Sequence, residues 1–387
     1  MTRSIYLDYA ATTPVDPAVI TQMLKFLGPN DTFGNPASSH SFGQTAKKAV
    51  DHAREQIAAY IHALPDEIIF TSGATESINL AIKGAAELYQ TRGRHIVTLK
   101  TEHQATLDAC QWLEKNGYQV TYLATKPDGL LDLAQLEAAL RDDTVLVSIL
   151  QVNNETGVIQ DITSIAAITQ ARGILLHVDG AQTVGKTTLD VSQTPVDLVS
   201  LSAHKAYGPK GVGALYLRSK PKIRVAAQIH GGGHQKNIRS GTLATHQIVG
   251  MGEAFAIAKQ NFAKDRAHIQ QCREQFLNLL SQKVAFQING NPALSVPNTV
   301  NIRFENIELA NAIKNAADLA VSAGSACHSK GVEPSHVLRA MGLSFFEAHC
   351  SLRFSFGRFT TEEEIVQAIK LIANLGFHTV LQGELKA

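Results

Sequence analysis

Along the middle of the chain, short apolar runs alternate with stretches whose apolar residues return every three or four positions. The runs at 67–71, 95–99, 119–123, 145–150, 174–178, 197–201 and 214–217 read as strands. Between them, 74–90, 105–115, 133–140 and 164–171 read as helices, with Ile78, Ala81, Ile82 and Ala85 on one face of the first. Asn116-Gly117 and Pro127-Asp128-Gly129 punctuate the series. Strands that are apolar throughout, each followed by a helix, predict an α/β fold with a mainly parallel sheet covered on both faces. Ahead of the series, Pro14 opens a helix to about Phe26, 34–40 is loop, and 41–60 is helical.

Beyond it the rhythm changes. Residues 250–282 carry one long helical pattern, and short strands at 299–304 and 352–356 then mix with helices at 308–317 and 362–375. This predicts a large domain over 14–258. A smaller α+β domain is built from 259–387 and joined by the N-terminal segment 1–13. No internal repeat or low-complexity tract interrupts either part.

Composition narrows the class. The 387 residues are 44% apolar and 18% charged, an ordinary globular balance. Lys plus Arg (35) nearly cancels Asp plus Glu (34), and no basic stripe interleaved with aromatics marks a nucleic-acid partner. No secretory or membrane-spanning segment is expected. Cys110, Cys272, Cys327 and Cys350 lack C-x-x-C spacing, and the histidines lack metal-site spacing. That pattern predicts no disulfide framework, no metal site and a reducing cytoplasm.

In open parallel sheets, ligands sit beyond the carboxyl ends of the strands, so the residues following each apolar run form the candidate site. After the run ending at Leu201 come Ser202-Ala203-His204-Lys205, closed by Gly208-Pro209. A lysine at the mouth of an apolar sheet is either a solvated strand end or a partly desolvated amine suited to Schiff-base chemistry. Ser72-Gly73-Ala74-Thr75-Glu76 opens a helix and is either a phosphate cradle or a plain helix cap. Thr101-Glu102-His103, Asn153-Asn154-Glu155 and Asp179-Gly180-Ala181-Gln182 follow three other strands. Singly, each suits a turn or cap. Together, a lysine, a carboxylate, an aromatic-capable histidine and an anion cradle at one sheet edge are the set that pyridoxal phosphate requires.

These stretches also resemble a family. Tyr6 to Pro14, Thr71 to Glu76, Lys100 to His103, Asn153 to Gly157, Ser202 to Gly211, His230 to His234, Arg239 to Thr242, Ser325-Ala326-Cys327 and Arg353 to Arg358 are similar to the cysteine desulfurases of iron–sulfur-cluster assembly. That group belongs to the class V aminotransferase-like, fold-type I pyridoxal-phosphate enzymes. The resemblance implies that Lys205 carries the cofactor, Asp179 pairs with its ring nitrogen, His103 stacks on the ring and Gln182 bonds its phenolic oxygen. It implies a phosphate site from Ala74, Thr75, Ser202 and His204, with Thr242 supplied by the partner subunit of a homodimer. Asn154 and Arg353 would hold the carboxylate of L-cysteine. Cys327, in a run of small residues expected to be mobile, would take the sulfur as a persulfide and pass it to an acceptor protein, a cluster scaffold or a thiolation enzyme. Many relatives continue well past the last helix, in a tail that contacts the scaffold, whereas this chain ends at Ala387.

Three other readings compete. A pyridoxal-phosphate transaminase or lyase would share Lys205 and Asp179 without needing Cys327. A serine esterase is suggested by His230-Gly231-Gly232-Gly233 but lacks the G-x-S-x-G elbow that such chemistry needs. A histidine-based metal protein lacks the ligand spacing.

Overall fold

The computed structural model describes residues 4–29, 32–323 and 333–384. Its main sheet has seven strands. In chain order these are β2 (Ile68–Thr71), β3 (His95–Leu99), β4 (Gln119–Leu123), β5 (Thr144–Leu150), β6 (Leu175–Asp179), β7 (Leu198–Ser202) and β8 (Gly213–Leu217), preceded by a short N-terminal β1 (Ile5–Tyr6). The spatial order is β2-β8-β7-β6-β5-β3-β4, and β8 alone runs antiparallel to its neighbours.

Side chains alternate across this sheet. Val97, Val147, Leu176, Val178 and Leu201 pack beneath α2 (Ser41–Ile61), α6 (Ile162–Ala171) and α7 (Thr245–Gln260). Ile96, Leu146, Leu175, Leu198 and Leu215 pack beneath α3 (Ala74–Tyr89) and α4 (Gln104–Lys115). The short helices α1 (Pro17–Leu24) and α5 (Leu133–Ala139) complete this part. Glycine is required at Gly213, where a Cβ would lie 2.6 Å from the Leu201 carbonyl and 2.7 Å from Gly73 Cα. That close approach brings the start of β8 against the ends of β2 and β7.

The long helical pattern resolves into two helices, α7 and α8 (Phe262–Ser281), meeting at Asn261. The break has a packing reason. Ile248, Met251, Phe255 and Ala258 of α7 belong to the first core, whereas Ile269, Cys272, Phe276 and Leu280 of α8 belong to a second. An uninterrupted apolar stripe in sequence therefore serves two cores.

The second core is built around an antiparallel sheet. Its strands are β9 (Phe286–Asn289), β10 (Thr299–Phe304) and β12 (Ser351–Ser355), in the order β12-β10-β9. Helices α9 (Ile307–Lys314), α10 (His336–Ala340), α11 (Phe345–His349) and α12 (Glu362–Glu384) accompany it. The N-terminus joins this part: β1 pairs in parallel with β11 (Leu319–Ala320), Asp8 bridges Ser355, and Ile5 and Leu7 enter the second core. The chain then crosses back, with the Thr13 N–H donating to the His204 carbonyl at 2.9 Å.

Candidate active site

A cavity of about 450 Å³ opens at the carboxyl ends of β2, β3, β6 and β7. Lys205, Asp179 and His103 line it together with Ser72 to Glu76, Ser202 and His204. The sheet edge thus collects side chains from four of the five strand-end stretches that the sequence singled out, the Asn153-Asn154-Glu155 stretch not lining the cavity.

Each is held by local structure. His103 is the N-cap of α4, its Nδ1 accepting the Ala105 N–H at 3.1 Å. Accepting at Nδ1 leaves the proton of the neutral ring on Nε2. Burial, aided by the charge of Lys205, holds this imidazole below its ordinary pKa. Asp179 ends β6 and accepts the Ala181 N–H at 2.9 Å. It also opposes the desolvation that lowers the Lys205 pKa, while Arg353 adds to the lowering. Burial brings His204 down to about 4, with Lys205 contributing, and His204 Nδ1 lies 3.1 Å from Thr12 Oγ1.

One end of the cavity fits a phosphate. The first N–H groups of α3 have no intrahelical acceptors, and the helix dipole favours an anion there. The Ser202 hydroxyl is buried with no partner. A Cβ on Gly73 would meet nothing within 4 Å, so the backbone borders open space. Glu76, in the same first turn, also borders the cavity, but its carboxylate is committed to Arg239 Nε at 2.8 Å and to the Ser72 N–H at 2.8 Å. An orphaned hydroxyl, a helix start, a desolvated lysine and a buried aspartate together match the functional groups of pyridoxal phosphate.

Other expected residues sit beside the cavity. Gln182 is buried, donating from Nε2 to the Ala10 carbonyl at 2.8 Å and accepting at Oε1 from Lys186. Asn154 and Arg353 do meet, but through the Asn154 backbone carbonyl, which accepts from Arg353 Nη1 at 2.7 Å. Arg353 Nη2 binds Asp8 at 2.8 Å, and its Nε is buried without a partner. Thr242 is exposed and does not line the cavity of its own chain. Cys327 lies outside the described residues. The described stretches on either side of it reach the site. Ser322 pairs with Arg353 backbone to backbone, Ser335 Oγ donates to Glu155, and His336 Nε2 lies 3.0 Å from the Glu102 carbonyl. Cys110, Cys272 and Cys350 are buried free thiols.

Sequence reasoning assigned no role to three supporting residues. Asp8 carries the ion pair to Arg353, Lys186 holds Gln182, and Glu102 accepts the Leu150 N–H at 2.8 Å from a fully buried carboxyl. Burial raises the Glu102 pKa well above the carboxylate range. The four-residue step from Gln182 to Lys186 was a usable signal, whereas the Asp8–Arg353 pair, 345 residues apart, had none. Among the described residues no group of three or more His, Cys, Asp or Glu is placed to hold a metal ion, and no helix is long and apolar enough to cross a membrane.

This sheet edge, with its lysine, aspartate and anion cradle, defines a pyridoxal-phosphate enzyme, and the chain belongs to the aminotransferase class-V family, which it matches over residues 5–368. Within that family, it is 57% identical over 373 residues to the cysteine desulfurase IscS of Klebsiella pneumoniae, covering 96% of this chain and 92% of the relative. Among solved structures, a NifS-like protein superposes with a TM-score of 0.89 at 35% identity, covering 96% of this chain and 99% of the other. SspA in complex with cysteine superposes with a TM-score of 0.84 at 37% identity, covering 92% and 100%.

Proposed function

We propose that the protein is a cysteine desulfurase that converts L-cysteine to L-alanine and passes the sulfur through a persulfide on Cys327. The convergence of Lys205, Asp179 and His103 on one cavity beside a phosphate cradle carries this reading. The near full-length likeness to IscS proteins selects the desulfurase over the transaminase within the family.

When bound, pyridoxal phosphate supplies an electron sink for charge developing at the substrate α-carbon. Ala74, Thr75, Ser202 and His204 would hold its phosphate, and Asp179 its ring nitrogen. Gln182 would offer its amide to the phenolic oxygen. The Lys205 amine, eased toward its neutral form by burial, accepts the α-proton at Nζ. His103, neutral and capped at Nδ1, presents Nε2–H to the reacting face. Arg353 and Asn154 supply the carboxylate site, with the unpartnered Arg353 Nε available for one bond. The Cys327 thiolate attacks the substrate sulfur: the S–S bond forms, the C–S bond breaks, and its electron pair stays with the carbon skeleton that leaves as alanine. L-Cysteine as substrate is further supported by the cysteine complex of SspA.

In this reading the protein is a cytoplasmic homodimer, Thr242 serves the neighbouring subunit's phosphate site, and a scaffold or thiolation protein receives the sulfur. The two apolar cores support a large domain over 14–258 and a small one from 1–13 with 259–387.

The deciding experiment measures alanine and sulfide from L-cysteine on yellow, cofactor-loaded protein. Lys205→Ala is expected to lose the cofactor's long-wavelength absorbance. Cys327→Ser is expected to keep the colour and lose persulfide. Full sulfide release by Cys327→Ser would overturn the role given to that thiol, and colour without cysteine-dependent alanine in the wild type would favour the transaminase.

A further inference from the structure

Lys205 borders two spaces. One is the large cavity; the other is a recess of about 20 Å³ lined also by Lys186, Tyr207, Asp265, Asn298 and Arg358. A recess of this size is large enough for one water molecule.

Most of its polar lining is already committed. Asp265 Oδ2 accepts from Arg358 at 2.8 and 2.7 Å, and Arg358 Nη1 also pairs with Asp16. The Tyr207 hydroxyl accepts the Arg358 backbone N–H at 2.6 Å. Lys186 donates to Gln182. Asn298 stands apart. It is 2% exposed, its backbone is held by the Phe356 N–H, and both Nδ2 and Oδ1 are buried with no partner. Leaving a buried amide's donor and acceptor unmet forfeits the hydrogen bonds both make with water in the unfolded chain, so a buried amide beside a water-sized space calls for a ligand that donates and accepts.

We propose that the recess is a binding site for one ordered water molecule, held by the Asn298 amide, through which the Lys205 amine exchanges protons with solvent when the large cavity is filled. The exchange is one for one. An N–H proton of Lys205 passes to the water, a water proton takes its place, and the water is itself replaced from solvent. No charge moves and nothing is oxidised or reduced. The water serves Lys205 because the lysine borders this recess as well as the large cavity in which cofactor and substrate would sit.

The site and its role are tested separately on the cofactor-loaded enzyme. A high-resolution crystal structure of the wild type is expected to show one water within hydrogen-bond distance of Asn298 Nδ2 and Oδ1. An empty recess, or an Asn298 amide turned onto a protein group, would overturn the site. For the role, α-proton exchange of L-alanine in D₂O is followed by NMR. Asn298→Leu, which fills the recess with carbon, is expected to lose the water and slow exchange about tenfold, the equivalent of one lost hydrogen bond. Asn298→Ser, which leaves room for water, is expected to retain exchange. A fully folded Asn298→Leu protein that exchanges at the wild-type rate would overturn the role. The role rests on the pyridoxal-phosphate reading: no exchange by any variant, wild type included, would count against that reading, whereas the crystallographic water is judged independently.

Discussion

His103 shows how one side chain meets a structural and a chemical demand together. Capping α4 occupies Nδ1, and the same geometry turns the rest of the ring to the cavity. Lys205 and His103 are both held below their ordinary pKa, so both shed protons earlier than free side chains do. The rate of alanine formation is therefore expected to climb with pH along a limb lying below the range of a free lysine. A limb at the free-lysine value would show Lys205 to be fully solvated. His177 gives a stability prediction of opposite kind. Its ring lies between Ser148 Oγ at 2.8 Å and Ser200 Oγ at 2.9 Å, and burial brings it to about 4. The unfolded chain takes up this proton near the ordinary histidine value of about 6.5, and the folded chain only near 4. The contribution is complete above the unfolded value, falls as pH drops between the two, and is flat below the lower one. It amounts to about 3 kcal/mol at most. Denaturant titrations at pH 4 and pH 7 on wild type and His177→Asn should show the difference shrinking in the variant.

Elements are joined here by close approach and by borrowed side chains. Gly252 of α7 lies against α2, where a Cβ would fall 2.7 Å from Ala53 Cα and 2.5 Å from Gln56 Oε1. Gly252→Val must separate the two helices. A loss of about 1–3 kcal/mol is expected, read as a lower midpoint in thermal unfolding. At the sheet's edge, β2 is paired on its outer side by a side chain: Gln235 Oε1 accepts the Phe70 N–H at 2.7 Å and Gln235 Nε2 donates to the Phe70 carbonyl at 2.9 Å. This amide closes an edge that would otherwise present free backbone groups. Gln235→Leu should leave both groups unmet, costing about 1–3 kcal/mol and speeding hydrogen exchange at the Phe70 amide. Unchanged exchange there would show the edge to be closed by something else.

Across the whole molecule, the chain is laced between its two cores. Arg358 pairs with Asp16 near the start of α1 and with Asp265 of α8, and its guanidinium lies 4.3 Å from the centre of the Tyr207 ring. Such a clasp aligns the part bearing Lys205 with the part bearing Arg353. The proposed homodimer adds a second level. If Thr242 works across subunits, co-expressed Lys205→Ala and Thr242→Ala chains will form mixed dimers with one doubly altered site and one intact site. Those mixed dimers should recover about half of the wild-type activity per dimer, while each parent homodimer stays low. No recovery would place Thr242 in its own subunit's function, and a fully active Thr242→Ala homodimer would leave it without a role.

The alternation of apolar runs and helical spacing determined the parallel sheet, and with it the edge where Lys205, Asp179, His103 and Thr75 gather. Periodicity and strand-end position are local properties, so they are written in adjacent residues. The structure alone decided what local pattern cannot encode. The helical stripe of 250–282 breaks at Asn261 because two cores claim its halves. Arg353 faces Asp8 and a backbone carbonyl because β12 lies beside the N-terminal segment. Asn298 and Ser202 keep unmet polar atoms because no partner was folded against them. Each of these depends on residues brought together from far along the chain, and burial and hydrogen-bond partners come into existence only when those distant segments pack.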